Sequence, residues 1–488
     1  MLPSLPHRTS ALLSALLLSL PACSGGPSPP ETDAGLSPDG LPPAAALETW
    51  LQPVIDRGYV HGMAVGLIDE TGSLVQGYGS LGDGGAPPRG DTLFQIGSIT
   101  KTFTGLWLAT QLVDGKLEAS EPVQDLLQGV VEVPTFQGTA ITLQDLATHT
   151  SGLPDGPTNL APQDLLNPWA DYTPEDLYAF LSAFSLPHAP GTQFLYSNTG
   201  EGLLGLALSH RAGGTYDDNI RKVVAAPLGL VDTTAVLSAD QQQRAAPGYD
   251  GDLSPIEPWT FTEALAGAAE LRSTVDDLLK YAAAQAGITS SPLDAAMTLS
   301  HQAIHPTSAP GFDVGLNWIV ATDQSLVWHN GGVYGATAFI GFDPVKHKAA
   351  VVLVDTSTAS TATTLGLDPV SSIGLLLVQW LQGTTPAPLA SILPASASLT
   401  PAQLTAATGT YSLDDGGGPL ELTLQGDKLQ TSFASAIWPR PILLYPTSAT
   451  TFVCREVPAS GSFQVGADGG VTGLTVTLGG QTFHGTKQ

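Results

Sequence analysis

The sequence predicts an α+β chain: an antiparallel sheet flanked by helices, with a helical subdomain in its middle, followed by a small all-β domain. Three observations carry this. Extended apolar runs come in two blocks, residues 63–78 and 326–356, with helix-patterned segments between them and one more behind. Short strand-like runs spaced by Gly- and Asp-containing turns fill the chain from about 408 onward. Two Pro-rich, low-complexity stretches, 24–44 and 386–401, bracket the larger part.

Taken in order, Arg8 precedes an apolar stretch, Ala11 to Leu20, that is too short to span a bilayer as a mature helix. It ends in Leu20-Pro21-Ala22-Cys23, which resembles the lipobox of bacterial lipoproteins. That resemblance implies a leader of residues 1–22, lipid on Cys23, and a place in the cell envelope with the membrane touched only through the anchor. Proline at the second position is unusual for such a box, so plain secretion is the alternative. Only two cysteines occur, Cys23 and Cys454, so lipidation of Cys23 leaves no intramolecular disulfide. Residues 23–44 read as a tether.

The larger domain is predicted over 45–385. Met63 to Asp69 and Ser73 to Tyr78 form a strand pair around a turn at Glu70 to Gly72. A helix is predicted from Ser98 to near Gly115, a residue suited to the position past a helix end. Thr173-Pro174-Glu175-Asp176 opens another with a cap, a proline at N1 and acids in the first turn, and Leu177, Phe180, Leu181 and Phe184 share its apolar face. A third runs from a Ser273 cap to Gln285, with Asp276 as capping partner. Ala338 to Phe342 and Ala349 to Val354 are strands parted by Asp343-Pro344, and residues 367–382 form a helix against that sheet. After the 386–401 linker, strands near 408–413, 419–424, 442–446, 450–456 and 471–477 predict an antiparallel barrel or sandwich over 402–488. This part holds one histidine, His484, and no cluster of catalytic residue types, which suggests a structural or binding appendage.

The formal charge of −27 reflects 17 basic against 44 acidic residues, and no basic cluster occurs. Nucleic acid and anionic lipid headgroups are therefore excluded as partners, and the acidity reads as solubility.

The chemistry starts at Phe94 to Gly105, FQIGSITKTFTG, where Ser98 precedes Lys101 by three residues. Helical spacing puts both on one face, one turn apart. A buried lysine with a depressed pKa can take the serine proton, and the exposed amides at the helix start favour an oxyanion on that serine. Three further segments follow in order: LQDLATHTSGLP (Leu143 to Pro154), PGTQFLYSNTGEGLLG (Pro190 to Gly205) and VWHNGGVYG (Val327 to Gly335).

With Ser-x-x-Lys, these segments resemble the class C β-lactamase-like serine hydrolases, a family of β-lactamases, D-alanyl-D-alanine carboxypeptidases, D-aminopeptidases and some esterases. The likeness covers about residues 45–385 and includes PLGLVDTT (Pro227 to Thr234), LRSTVDDLLKYA (Leu271 to Ala282) and GLNW (Gly315 to Trp318). It implies a β-lactamase/transpeptidase-like fold with the active site between sheet and helical subdomain. It also implies roles: Ser98 as acylated nucleophile, Lys101 as its base, and Tyr196 as the proton shuttle, a partly anionic phenol beside the lysine. Asn198 would bind a substrate amide or Lys101. His329, Asn330 and Gly331 would match the substrate-binding triplet that is Lys-Thr-Gly in class C β-lactamases, and the amides of Ser98 and Gly332 would form the oxyanion hole. A histidine at 329 is mostly neutral at pH 7 and common among the family's esterases and peptidases. The expected reaction is hydrolysis of a small-molecule ester, amide or cell-wall peptide through a Ser98 acyl-enzyme, of esterase or peptidase type. The alternatives are a penicillin-binding D-alanyl-D-alanine carboxypeptidase, a class C β-lactamase, or a non-catalytic binding protein on the same scaffold.

No cofactor or metal is expected. His301 and His305 are four apart, but no glutamate lies between them and Pro306 follows. Gly77 to Gly85 lacks a phosphate-loop lysine, and no Gly-x-Ser-x-Gly elbow occurs. His149 is read as structural, holding a loop near the cleft, and Trp318 and Trp328 as core or cleft wall.

Overall fold

The computed structural model describes residues 40–359, 367–393, 397–414, 419–433, 440–467, 469–478 and 481–488. The expected leader, Cys23 and all but the end of the tether lie outside these residues. Five helices frame the larger part: α1 (Ala44–Asp56), α2 (Thr100–Val113), α3 (Asn198–Ala212), α4 (Val275–Gln285) and α5 (Pro369–Leu381). Its sheet has eight antiparallel strands: β1 (Gly62–Asp69), β2 (Gly72–Gly79), β3 (His305–Pro306), β4 (Phe312–Val314), β5 (Ile319–Ala321), β6 (Val327–Val333), β7 (Ala336–Asp343) and β8 (Lys348–Val354). Their spatial order is β2-β1-β8-β7-β6-β5-β4-β3. The first hairpin thus lies beside the last strand, and the helical subdomain is inserted between them in sequence.

Strand alternation builds two cores from one sheet. Ala349, Val351 and Leu353 of β8 face α2 and α4, whereas Ala350, Val352 and Val354 face α1 and α5. Both faces are covered, which is why this strand reads as an unbroken apolar run. Helix α2 is buried on every side from Thr100 to Thr110. Its polar side chains are satisfied internally: Thr104 Oγ1 donates to Gly267 O at 2.8 Å and lies 2.7 Å from the Tyr216 hydroxyl. Trp318 and Trp328 are both core residues, on opposite faces of the sheet.

Several local expectations change. Ser98 lies in a 3-10 turn, Gly97–Ile99, and the α-helix starts only at Thr100. Gly97 at φ +50 makes the turn too tight to open directly as α-helix. The cap of α4 is Thr274, whose hydroxyl accepts from Asp277 N, because Ser273 is engaged as a strand partner of Phe94. The Thr173 cap forms with a full capping box to Asp176, and Leu177, Phe180 and Leu181 are buried beneath it.

The segment read as a linker is in part packed. Leu389, Ile392 and Leu393 join the α1/α5 core, and the Trp50 indole donates to Ala387 O at 2.9 Å. The C-terminal part is a closed eight-stranded barrel in which Gly409–Leu413 pairs with both Pro419–Gln425 and Gln481–Lys487. Three of its strands, Lys428–Phe433, Ala459–Val465 and Gln481–Lys487, were not expected from sequence. Each is rich in Ser, Thr, Gln or Gly, and its few apolar side chains become a strand face only when neighbours close the cylinder. The barrel meets the larger part through Arg455, which lies 4.1 Å from the Tyr59 ring and 3.9 Å from the Tyr445 ring. Such contacts are worth about 0.5–2 kcal/mol each. Among the described residues no helix is long and apolar enough to cross a membrane.

Candidate active site

Ser98, Lys101, Tyr196 and Asn198 meet where the start of α2 faces the start of α3. Lys101 has no solvent exposure. Its Nζ lies 2.9 Å from Ser98 Oγ, 2.7 Å from Asn198 Oδ1 and 2.8 Å from Ala268 O. Burial brings the amine down from 10.5 to about 8, against the opposing pull of Glu201 and Asp155. Two of its three partners, the Asn198 and Ala268 oxygens, can only accept. A neutral amine therefore spends both N–H groups on them and turns its lone pair to the Ser98 hydroxyl. Asn198 is held in the orientation this requires, because its Nδ2 donates to Asp155 Oδ1 at 2.7 Å.

The Tyr196 ring centroid lies 5.0 Å from Lys101 Nζ. Burial raises the phenol's pKa against the pull of the Ser98 hydroxyl, which favours the phenolate, and the acids Asp155 and Glu201 add to the rise. The expectation of a partly anionic phenol is thus corrected: burial keeps Tyr196 protonated. His149 brackets it. The His149 carbonyl accepts from Leu195 N at 2.7 Å and Nδ1 accepts from Ser197 N at 3.2 Å, so the residues on both sides of Tyr196 hang on one histidine. The two rings lie 4.4 Å apart. Burial and the nearby Lys101 cation keep His149 neutral, as its acceptor role demands.

Strand β6 supplies the opposite wall. His329 is 3% exposed, and burial followed by the Lys101 charge lowers it to about 3, so it carries no positive charge. Asn330 does not join the site. Strand alternation turns its side chain to the other face, where Nδ2 donates to Ser371 Oγ of α5 at 3.0 Å. Its expected contact with substrate is corrected accordingly. Gly331 and Gly332 press against the turn that carries Ser98. A Cβ on Gly331 would lie 1.9 Å from Ile96 O and 3.0 Å from Ser98 N, whereas one on Gly332 would meet nothing within 4 Å. Gly331→Ala should therefore displace backbone, costing about 3 kcal/mol or more by the scale of buried overpacking. Gly332→Ala should stay within about 0.5 kcal/mol of wild type. Paired urea melts check this, and equal stabilities would refute the close packing of β6 on the serine turn.

Sequence reasoning missed Asp155, Glu201 and the Ala268 carbonyl. Asp155 directly follows the Leu143 to Pro154 segment, and Glu201 lies within the Tyr196 segment itself, a charged residue in an otherwise apolar and small run. His301 is half-buried, with Nε2 2.5 Å from Gln285 Oε1, while His305 lies on β3, so the two do not converge. Among the described residues no group of three or more His, Cys, Asp or Glu side chains is arranged to hold a metal ion.

Comparison with known proteins agrees with this architecture. A family model described as Beta-lactamase matches residues 47–366. The D-alanyl-D-alanine-carboxypeptidase/endopeptidase AmpH of Escherichia coli (strain K12) is 28% identical over 366 residues, covering 72% of this chain and 92% of that protein. A Beta-lactamase of Pseudomonas fluorescens is 27% identical over 280 residues, covering 56% of this chain and 73% of that one. Among solved structures, a Beta-lactamase/D-alanine Carboxypeptidase from Yersinia pestis, complexed with citrate, superposes with a TM-score of 0.56 at 25% identity, over 70% of this chain and 100% of the other. A class C beta-lactamase shares the fold with a TM-score of 0.58 at 22% identity, over 70% of this chain and 96% of the other. Since the matched region spans most of the sequence and contains the whole Ser98 cluster, the chain belongs to the beta-lactamase family of serine hydrolases.

Proposed function

We propose that this protein hydrolyses a small ester or amide through an acyl-enzyme on Ser98. The observation that carries the reading is the three-way environment of Lys101, in which two pure acceptors aim the amine's lone pair at Ser98 Oγ. Lys101 takes the serine proton as Oγ bonds to the carbonyl carbon. The oxyanion is received at the Ser98 and Gly332 amides, a type of donor worth about 3 kcal/mol of barrier each. Tyr196, protonated and beside Lys101, hands its proton to the leaving group and recovers one from Lys101. Water then attacks the acyl carbon, the same groups running in reverse, and Ser98 leaves with a proton.

A neutral His329 gives no fixed cation for a substrate carboxylate. That favours uncharged esters or amides over β-lactams. The likeness to AmpH favours a second reading, a D-alanyl peptide of the cell wall. Export and lipid anchoring at Cys23 complete the proposal, placing the enzyme in the envelope.

The test is turnover of p-nitrophenyl butyrate, a chromogenic cephalosporin and a D-Ala-D-Ala peptide by the soluble protein, with mass spectrometry of the Ser98 peptide. Butyrate turnover with an acyl mass on Ser98 supports the esterase; preference for the peptide, with slow release of penicillin, supports the second reading. Absence of any acyl adduct would leave a binding protein and sink the hydrolase. Since the working amine is neutral, kcat/KM should climb about tenfold per pH unit below 8 and flatten above it. A flat profile from pH 6 to 9 would refute Lys101 as the base.

A further inference from the structure

One buried ionisable group beside the site has no part in the chemistry above. Glu201 lies in the first turn of α3, three residues after Asn198, with no solvent exposure. Its Oε2 accepts from Asn317 Nδ2 at 2.8 Å, while Oε1 is buried without a hydrogen-bond partner. Asn317 is itself fixed: it stands at φ +66, and its amide donates to Ala147 O at 2.8 Å. The backbone of α3 there is packed tightly against a neighbouring short helix, since a Cβ on Gly267 would lie 2.8 Å from the Glu201 carbonyl oxygen and 2.9 Å from Gly205 Cα. The same short helix, Ala266–Ala269, supplies the Ala268 carbonyl that holds Lys101. An unexposed acid with one bare oxygen is costly, so its retention here calls for a role.

We propose that Glu201 is a positioning residue for the acyl transfer: its carboxyl, clamped by Asn317, governs the proton affinity of Lys101 and thereby how much neutral amine faces Ser98. This rests on the reading of Lys101 as the base. The balance is a simple one. An ionised Glu201 favours the ammonium, and a protonated Glu201 releases the amine, with no change in the bonds of either side chain beyond the proton. Burial raises the Glu201 carboxyl, and Lys101 opposes that shift, so the two groups exchange charge within one range of pH. The other groups facing this pair are Asp155, which also raises the affinity of Lys101, the neutral His149 and His329, and the phenols Tyr196 and Tyr216. Glu270 acts on Tyr216 from beyond. Of Asp155, Glu201 and Glu270, Glu201 alone is both without exposure and short of a hydrogen-bond partner.

The test is nitrogen NMR of protein labelled at its eight lysines, the Lys101 signal being assigned by its loss in Lys101→Met. In Glu201→Gln, which keeps shape and can still accept from Asn317, the Lys101 midpoint should fall by about one unit, a tenfold gain in neutral amine at a fixed lower pH. The acid limb of Ser98 acylation by p-nitrophenyl butyrate should move down with it. Asn317→Gly, which suits the positive φ and strips the carboxylate of its donor, should shift both in the same direction by a smaller amount. A Lys101 midpoint that stays in place in both variants overturns the proposal, whether or not the protein turns over esters. A midpoint that moves while the acylation profile does not would instead refute Lys101 as the base, and with it the part of Glu201 in the reaction.

Discussion

Ser98→Ala should lower kcat on the order of 10⁶-fold, the scale seen when a serine nucleophile is removed, and should leave the protein folded. Ser98 sits in the Gly97–Ile99 turn, and its hydroxyl lies 2.9 Å from Lys101 Nζ. Other contacts remain without it: Lys101 holds Asn198 and Ala268, and Tyr196 stays braced by His149. Loss of one hydroxyl should therefore change stability by about 1 kcal/mol at most. The measurement is initial rates on p-nitrophenyl butyrate beside a melting curve. A variant that folds normally and keeps more than about a hundredth of wild-type turnover would mean that another nucleophile carries the reaction.

Lys101→Met should lower kcat by about 10³-fold, within the range for loss of a general base, yet should not weaken the fold. The reason lies in the cost of an ammonium with no exposure. Its folded-state pKa of about 8 lies below the unfolded 10.5, so the unfolded chain binds the proton more tightly. The penalty is complete below pH 8, about 3 kcal/mol at 1.36 kcal/mol per unit, and disappears as pH rises to 10.5. Against this stand the hydrogen bonds to Asn198 and Ala268, of about 1 kcal/mol each. Glu201 takes up a proton when the lysine is gone, so no bare charge remains. Methionine, unbranched and of similar length, fills the channel. Urea melts at pH 7 should place the variant level with wild type or above it. A loss of more than about 2 kcal/mol would show that Lys101 is kept for structure rather than at a cost to it.

Local pattern and tertiary arrangement divide the rest between them. The Thr173 cap with Asp176, the strand pair on either side of Glu70 to Gly72, and the alternating residues of 349–354 were legible because each is decided within a few residues. The caps failed where a partner far along the chain intervened: Ser273 left the helix to pair with Phe94. Barrel closure was half visible for the same reason, as strands such as Gln481–Lys487 become stable only against neighbours, one of them at Gly409–Leu413.

At the site, the sequence alone established the Ser98–Lys101 pair, the Tyr196–Asn198 pair and the family, since each pair lies within a single turn and carries its chemistry in its residue types. Tertiary structure alone decided what state those groups occupy. The acceptor that turns Lys101 toward Ser98 comes from Ala268, the clamp on Asn198 from Asp155, and the acid beside them from Glu201 with Asn317. It also turned Asn330 away to Ser371 and kept Tyr196 protonated by burying it. Proton affinity depends on burial and on charges within a few ångströms, and those are properties of folded neighbours rather than of adjacent residues.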